Sequence, residues 1–150
     1  MKITKDEIAR NLLTPDWITA FVQTYLEPSL QPIEQQYNYE RIGLHSVPTI
    51  DQIDYFPDRG IVLWTCDECT SGKSTEMVLF ASGDLSIISR SYESGREPGW
   101  DWEHETTWRL RRIEKQRRIS KADLEKYGLR IARELFWRAV EQELVSRPKE

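Results

Sequence analysis

The order of amphipathic segments along this chain predicts an α+β fold. Two short helical patterns come first, strand-like patterns fill the stretch from Ile50 to about Leu110, and one long helical pattern follows. Runs of strands flanked by helices usually pack with the helices on one face of a sheet. We therefore predict two N-terminal helices, an antiparallel meander sheet of four to five strands, and a long C-terminal helix packed on one sheet face, all within a single domain over residues 1–150.

Composition narrows the class of protein. Hydrophobic residues make up 39% and charged residues 31% of the 150 positions, which indicates an adequate core under a strongly charged surface. The net charge of −4 argues against binding nucleic acid or an anionic membrane with the whole surface, and it leaves room for a local basic face. The chain has no apolar run of about 18 residues and no signal-peptide pattern, so we expect a cytoplasmic protein without membrane contact.

Two N-terminal helices are predicted from their capping patterns. Thr4 precedes Glu7 by three residues, which is the capping-box spacing of a helix start. Thr14 and Pro15 then start a second helix, because proline is favoured at the first helical position. Apolar residues recur at helical spacing as far as Leu26, where the second helix should end.

The longest helix is predicted from Ser120 to about Val145. Ser120-Lys-Ala-Asp123 has the form of a helix N-cap. An apolar stripe wide enough to lie across a sheet follows at helical spacing. Its members are Leu124, Tyr127, Ile131, Leu135 and Ala139, with Phe136 and Val140 alongside.

A hairpin forms the centre of the predicted sheet. Met77–Ala81 and Leu85–Tyr92 are apolar strand-like segments, and Ser82-Gly83-Asp84 lies between them. A two-residue loop would place Phe80 opposite Ile87. Both faces of this pair carry apolar side chains, which is typical of interior strands.

The chain upstream of that hairpin is less regular. Pro57-Asp-Arg-Gly60 is a predicted turn, and Ile61–Trp64 is a short buried strand after it. Residues 28–48 are rich in glutamine, proline and tyrosine with little periodicity. This stretch is either an ordered connector or one irregular strand around Tyr39 to Leu44.

Alternating residues between positions 100 and 111 predict a strand with an aromatic face and a charged face. The aromatic face is either core under the long helix or an exposed interface patch, because the spacing fits both. We predict partner-binding residues on this strand, namely Trp100, Trp102, Trp108, Arg109, Arg111 and Arg112.

The stretch from Arg109 to Arg118 carries six cations and allows three interpretations. The cations could neutralise phosphates while nearby aromatic side chains stack on unpaired bases, as in single-strand nucleic-acid binding. They could instead pair with Asp101, Glu103 and Glu105 in a solvated surface. A third interpretation is a protein partner that carries an acidic patch.

Two further motifs have weaker functional interpretations. Cys66-Asp-Glu-Cys69 could hold two thiolate ligands of a zinc ion, with His45 and His104 completing the site. Its flanking acids disfavour a redox role, because they raise a thiol pKa. Gly72-Lys73-Ser74 resembles the end of a phosphate-binding loop, but Asp67 replaces the glycine that such a loop requires.

We therefore predict a non-catalytic domain that binds a partner protein, or a second copy of itself, through a sheet face. No nucleophile-base-acid arrangement emerges around the two histidines, and no cofactor or metal is predicted. Nucleic-acid binding through Arg109–Arg118 is one alternative. A zinc-supported domain through Cys66 and Cys69 is the other.

Overall fold

The computed structural model describes residues 3–43, 49–50, 53–68, 72–97 and 106–146. It has the predicted α+β architecture, with helices at the N-terminus, an antiparallel sheet and a long C-terminal helix. The helices are α1 (Lys5–Arg10), α2 (Pro15–Phe21) and α3 (Lys121–Ser146). The strands are β1 (Gln31–Gly43), β2 (Thr49–Ile50), β3 (Ile53–Glu68), β4 (Lys73–Phe80), β5 (Leu85–Glu97) and β6 (Thr106–Arg118).

The helix starts follow the capping patterns in the sequence. The Thr4 hydroxyl accepts a hydrogen bond from the Glu7 amide at 3.2 Å, so it caps α1. Helix α2 begins at Pro15 and continues as a π-helical turn over Val22–Leu26 and a 3-10 turn over Glu27–Ser29. The π-helical turn ends at Leu26, the predicted end of this helix, and the 3-10 turn extends the helical segment to Ser29.

The sheet closes on itself. Its strand order is β2-β1-β3-β4-β5-β6, all neighbours are antiparallel, and β1 also pairs with β6. Residues 31–37 of β1 pair with β3, and residues 37–43 pair with β6. One long strand thus joins both ends of the sheet, which removes the open edges that the five long strands would otherwise present.

Closure gives the sheet an inner and an outer face. Val78 and Phe80 of β4 join an inner apolar cluster with Ile33 and Ile88. The intervening Met77 and Leu79 face outward and pack under the helices. The outer cluster also contains residues from α1, α2 and α3, including Ile8, Ile18, Ile131 and Leu135. The predicted packing of the long helix on one sheet face is confirmed, whereas the second face is the interior of a closed sheet rather than a free surface.

The predicted hairpin register is wrong. Leu79 pairs with Leu85 and Met77 with Ile87, so Phe80 does not lie opposite Ile87. The loop is longer than two residues, because the Phe80 amide donates to the Asp84 carbonyl and Gly83 donates back to Phe80. Gly83 has a φ of 93°, a conformation that glycine adopts more readily than any other residue.

The predicted turn at Pro57–Gly60 is also wrong, since β3 runs through it. The pairing with β1 shifts between Pro32 and Glu34, where β3 has two more residues than β1. A bulge of this kind accommodates a proline, which has no amide to donate to the ladder. The stretch predicted as a connector or irregular strand forms β1, which starts earlier than Tyr39.

None of the helices in the described ranges combines the length and apolarity needed to cross a membrane.

Candidate binding surface

The helices cover only part of the outer face of the described sheet. Met77 and Leu79 are buried under them, while Lys73 and Thr75, further along the same face of β4, are exposed. The same face of β5 shows the same change, since Leu85 is buried whereas Ser89 and Ser91 are partly exposed. The uncovered part, called the open surface below, consists of Lys73, Thr75, Ser89, Ser91, Arg112 and Lys115.

Strand pairing arranges the open surface in two rows. Thr75 of β4 pairs with Ser89 of β5, which pairs with Lys115 of β6. Lys73, Ser91 and Arg112 form the neighbouring row in the same way. Each row therefore runs across three strands, with a hydroxyl in the middle and a cation at one end or both ends.

A shallow cleft lies along these rows. It encloses about 420 Å³ and is lined by Lys73, Ser74, Thr75, Ser89, Arg90, Glu114 and Lys115. Glu114 reaches this cleft because the β5–β6 pairing shifts between Ser89 and Arg90. Its carboxylate lies 3.8 Å from the Lys73 amine. The cleft thus offers hydroxyls and charges of both signs to a polar ligand or partner.

Most of the cations that the structure describes between Arg109 and Arg118 form ion pairs with carboxylates. Arg112 pairs with Glu93 at 3.0 Å, and Arg118 pairs with Asp84 at 2.9 Å. Lys115 is exposed and forms no ion pair with any residue in the described ranges. The acids expected to neutralise this stretch, Asp101, Glu103 and Glu105, lie outside those ranges.

Arg117, which also lies between Arg109 and Arg118, has a structural role at the start of α3. Arg117 holds Asp123 through two hydrogen bonds of 2.5 and 3.0 Å. Asp123 also accepts from the amide and hydroxyl of Ser120. The hydrogen bond from Arg117, followed by that from the Ser120 amide, holds the pKa of Asp123 well below its ordinary value. The same contact raises the pKa of Arg117.

The predicted site residues are only partly brought together by the described structure. Trp100 and Trp102 lie outside the described residues. Trp108, Arg109 and Arg111 lie in β6, where their backbones pair with residues 95, 94 and 92 of β5. Arg112 is exposed and belongs to the open surface. Both interpretations of the aromatic face, as core under the long helix or as an exposed interface patch, therefore stay predictions.

A buried ion pair inside the closed sheet was not predicted from the sequence. The Arg90 Nε lies 3.2 Å from Glu76 Oε1, and the two side chains are only 2% and 8% exposed. Arg90 also donates to the carbonyls of Glu34 and Gln35 across the interior. The available signal was that Ser74 and Glu76 continue, at every second position, the row of the apolar Val78 and Phe80, because residues at every second position share one face of a strand.

The inner face also borders a smaller cavity of about 190 Å³. Its walls combine the apolar Ile33 and Val62 with the charged Glu34, Glu76 and Arg90. Since Arg90 already binds Glu76 and two carbonyls, this charge is used to hold strands together. The cavity thus belongs to the supporting structure rather than to the open surface.

The two weaker motifs have structural settings. Cys66 of β3 is exposed and pairs with Thr75 of β4, whereas Cys69, His45 and His104 lie outside the described residues. The zinc hypothesis therefore stays a prediction. Gly72 has a φ of 66°, and the strand β4 begins at Lys73. A phosphate-binding loop would lead into a helix instead, so this motif is the entry to a strand.

Comparisons of the chain with protein families, with curated proteins and with solved structures gave no match.

Proposed function

We propose that this protein is a non-catalytic interaction domain that binds a partner protein through the open surface. The observation that carries the proposal is the boundary between Met77 and Thr75, where a face covered by helices becomes exposed. The exposed part is built on three paired strands, so its side chains keep fixed spacing. Rigid elements of this kind position binding groups more accurately than loops do.

The charge of the open surface favours a partner with acidic side chains. Among the described residues, Lys115 has no ion-pair partner, and Lys73 and Arg112 each pair with an exposed carboxylate. Exposed pairs of this type contribute about 0–1 kcal/mol and are therefore easily exchanged. An acidic partner could replace Glu93 and Glu114 at small cost while Thr75 and Ser89 supply hydrogen bonds.

Binding of a second copy is the related candidate. The chain carries a net charge of −4, so an acidic region elsewhere on the same protein could meet the open surface. Sedimentation velocity over a wide concentration range distinguishes this case. A monomer at all concentrations indicates a different protein as the partner.

Nucleic-acid binding remains the alternative from another class. Its support is the exposed Tyr92, which pairs with Arg111 of β6 in the strand ladder, since an aromatic ring beside positive charge can stack on a base. Against it, Arg112, Arg117 and Arg118 each hold a carboxylate. Fluorescence anisotropy of a single-stranded oligonucleotide at two salt concentrations tests this alternative, because phosphate binding weakens steeply with salt.

The proposal is tested by site-specific photo-cross-linking in the cells that produce the protein. Benzoylphenylalanine replaces Thr75 on the open surface, or Gln23 on the π-helical turn as the control. We expect one predominant cross-linked protein from position 75 and none from position 23. The cross-link should disappear with Lys115→Glu and persist with Lys115→Arg. Equal cross-linking from both positions, or no effect of Lys115→Glu, would contradict the proposal.

A further inference from the structure

Helix α3 carries an exposed stripe on the side opposite its buried residues. Its buried side contains Ile131, Leu135 and Ala139. The stripe consists of Ala122, Lys126, Leu129, Arg130, Arg133 and Trp137, all of which are exposed. At about 100° per residue, these positions fall within roughly 100° of the helix circumference. They therefore form one narrow surface along the helix.

Two large apolar side chains stand out on this stripe. Leu129 is 73% exposed and Trp137 is 53% exposed, the highest values among the large hydrophobic residues that the structure describes. They are eight residues apart, which corresponds to about 12 Å along a helix. Tryptophan is enriched among the residues that dominate binding energy at interfaces.

Trp137 is held in place before any partner arrives. The Lys5 amine lies 5.3 Å from the centre of its ring, and Phe136 packs edge-to-face at 5.7 Å between ring centres. A side chain that is already ordered loses less conformational entropy on binding. Trp137 is therefore a preorganised anchor.

The charge on the stripe is positive throughout. Lys126, Arg130 and Arg133 form no ion pair within the described residues, although Arg130 lies over the Trp64 ring at 4.0 Å. Acids of the helix flank the stripe rather than lie on it, among them Asp123, Glu125, Glu134 and Glu141. Of these, Asp123 pairs with Arg117 and Glu134 with Arg138. Unneutralised cations between two apolar anchors fit a partner that is apolar and acidic.

A second copy of the chain does not fit this stripe. Two antiparallel α3 helices would meet about an axis at Arg133, midway between Leu129 and Trp137. Arg133 would then face its own copy, and Glu125 would face Glu141 of the other chain. Like charges directly opposite each other destabilise such a pair.

We infer that the exposed stripe of α3 is a docking site for an acidic amphipathic helix of a partner protein. Such a helix would place apolar side chains seven or eight positions apart on Leu129 and Trp137, with carboxylates between them against Arg130 and Arg133. The site is separate from the open surface and does not rest on the function proposed above.

The test uses a synthetic helical peptide of about 20 residues, with leucines at helical spacing and glutamates between them. A peptide of the same composition with scrambled leucines is its control. Fluorescence anisotropy of the labelled peptide, titrated with the full chain, gives the Kd. We expect a Kd of about 10 μM or tighter for the patterned peptide and at least about tenfold weaker binding of the scrambled one.

Variants locate the binding on the stripe. Arg133→Glu and Trp137→Ala should each weaken binding at least about tenfold, because they remove a facing charge and an anchor. Arg59→Glu makes the same charge change at an exposed position of β3 outside both surfaces and should leave the Kd unchanged. Circular dichroism shows whether each variant is folded. If Trp137→Ala does not fold, Arg133→Glu alone decides the test, because Arg133 is exposed and its replacement should not disturb the fold.

Three results would overturn the inference. The first is no binding of the patterned peptide to the unmodified chain. The second is binding that Arg59→Glu weakens as much as Arg133→Glu does, which would show that the peptide does not bind specifically to the stripe. The third is association with phosphatidylserine vesicles that Arg133→Glu abolishes, which would make an anionic lipid surface the occupant.

Discussion

Arg90 reaches from β5 across the interior of the closed sheet and pairs with Glu76 at 3.2 Å. The same guanidinium donates to the carbonyls of Glu34 and Gln35 in β1, a strand that pairs with neither β4 nor β5. Those carbonyls lie where the β1–β3 ladder shifts between Glu34 and Gln36. One side chain therefore supplies hydrogen bonds to the carbonyls at a bulge and connects opposite walls of the closed sheet.

A second arginine, on the helix that packs on the outer face, also donates to carbonyls at a shift in the strand pairing. The β3–β4 pairing shifts between Val62 and Trp64. Arg138 of α3 donates to the carbonyls of Val62 and Leu63 at 3.1 and 3.4 Å. Carbonyls displaced from a ladder need such partners, because an unsatisfied buried acceptor costs about 1–3 kcal/mol. The arginine thus connects the long helix to the sheet.

Removal of Arg90 should destabilise the protein strongly. Arg90→Met removes the guanidinium that pairs with the buried Glu76 carboxylate and donates to two carbonyls, so we expect a loss of about 3–5 kcal/mol in the free energy of unfolding. Arg90→Met combined with Glu76→Leu should cost clearly less than the sum of the two single changes, since no unpaired buried charge remains. Urea denaturation followed by tryptophan fluorescence measures all three variants. Additive losses would show that the two side chains are not coupled.

The contact between Arg117 and Asp123 should make stability depend on pH in the acid range. The pKa of Asp123 is lowered from 3.8 in the folded protein, so its stabilising effect is present above that value and is lost as the pH falls through the folded pKa. Asp123→Asn should flatten the fall in stability below about pH 4, and at pH 7 it should cost about 1 kcal/mol as a lost helix cap. Thermal unfolding between pH 2 and about pH 7 tests both expectations. Identical acid slopes in the two proteins would contradict the assigned contact.

Two glycines should respond oppositely to alanine. Gly128 lies inside α3, and an added Cβ would meet only Leu124, at 3.9 Å. Gly128→Ala should therefore stabilise the protein by about 0.5–1 kcal/mol through helix propensity. Gly83 has a positive φ, and its added Cβ would lie 2.8 Å from Ile18 Cγ2. Gly83→Ala should be destabilising, and equal effects in a thermal unfolding comparison would contradict the packing described.

The features that were predictable from sequence are the local ones. Thr4 caps α1, Ser120 and Asp123 cap α3, and the apolar stripe of α3 contains the buried Ile131, because caps and helical periodicity depend only on residues close in sequence. The α+β class followed from the order of these segments.

The features that were missed depend on distant residues. Closure of the sheet needs β1 to pair with both β3 and β6, and nothing in the composition of residues 31–43 encodes two partners. The contacts from Arg90 to the carbonyls of Glu34 and Gln35 join residues more than fifty positions apart, so no local pattern marks them. The hairpin register failed because Phe80 and Asp84 close a longer turn than the two-residue loop assumed.

The limit of helix coverage between Met77 and Thr75 is the feature on which the proposed function depends. It can be measured by thiol labelling of Thr75→Cys and Met77→Cys, each in a chain with Cys66→Ser and Cys69→Ser, relative to the same chains in urea. The cysteine at position 75 should be labelled in the folded chain within about threefold of its rate in urea. The cysteine at position 77 should be labelled at least about a hundredfold more slowly in the folded chain than in urea. Comparable protection at both positions would mean that the helices cover the whole outer face and leave no open surface for a partner.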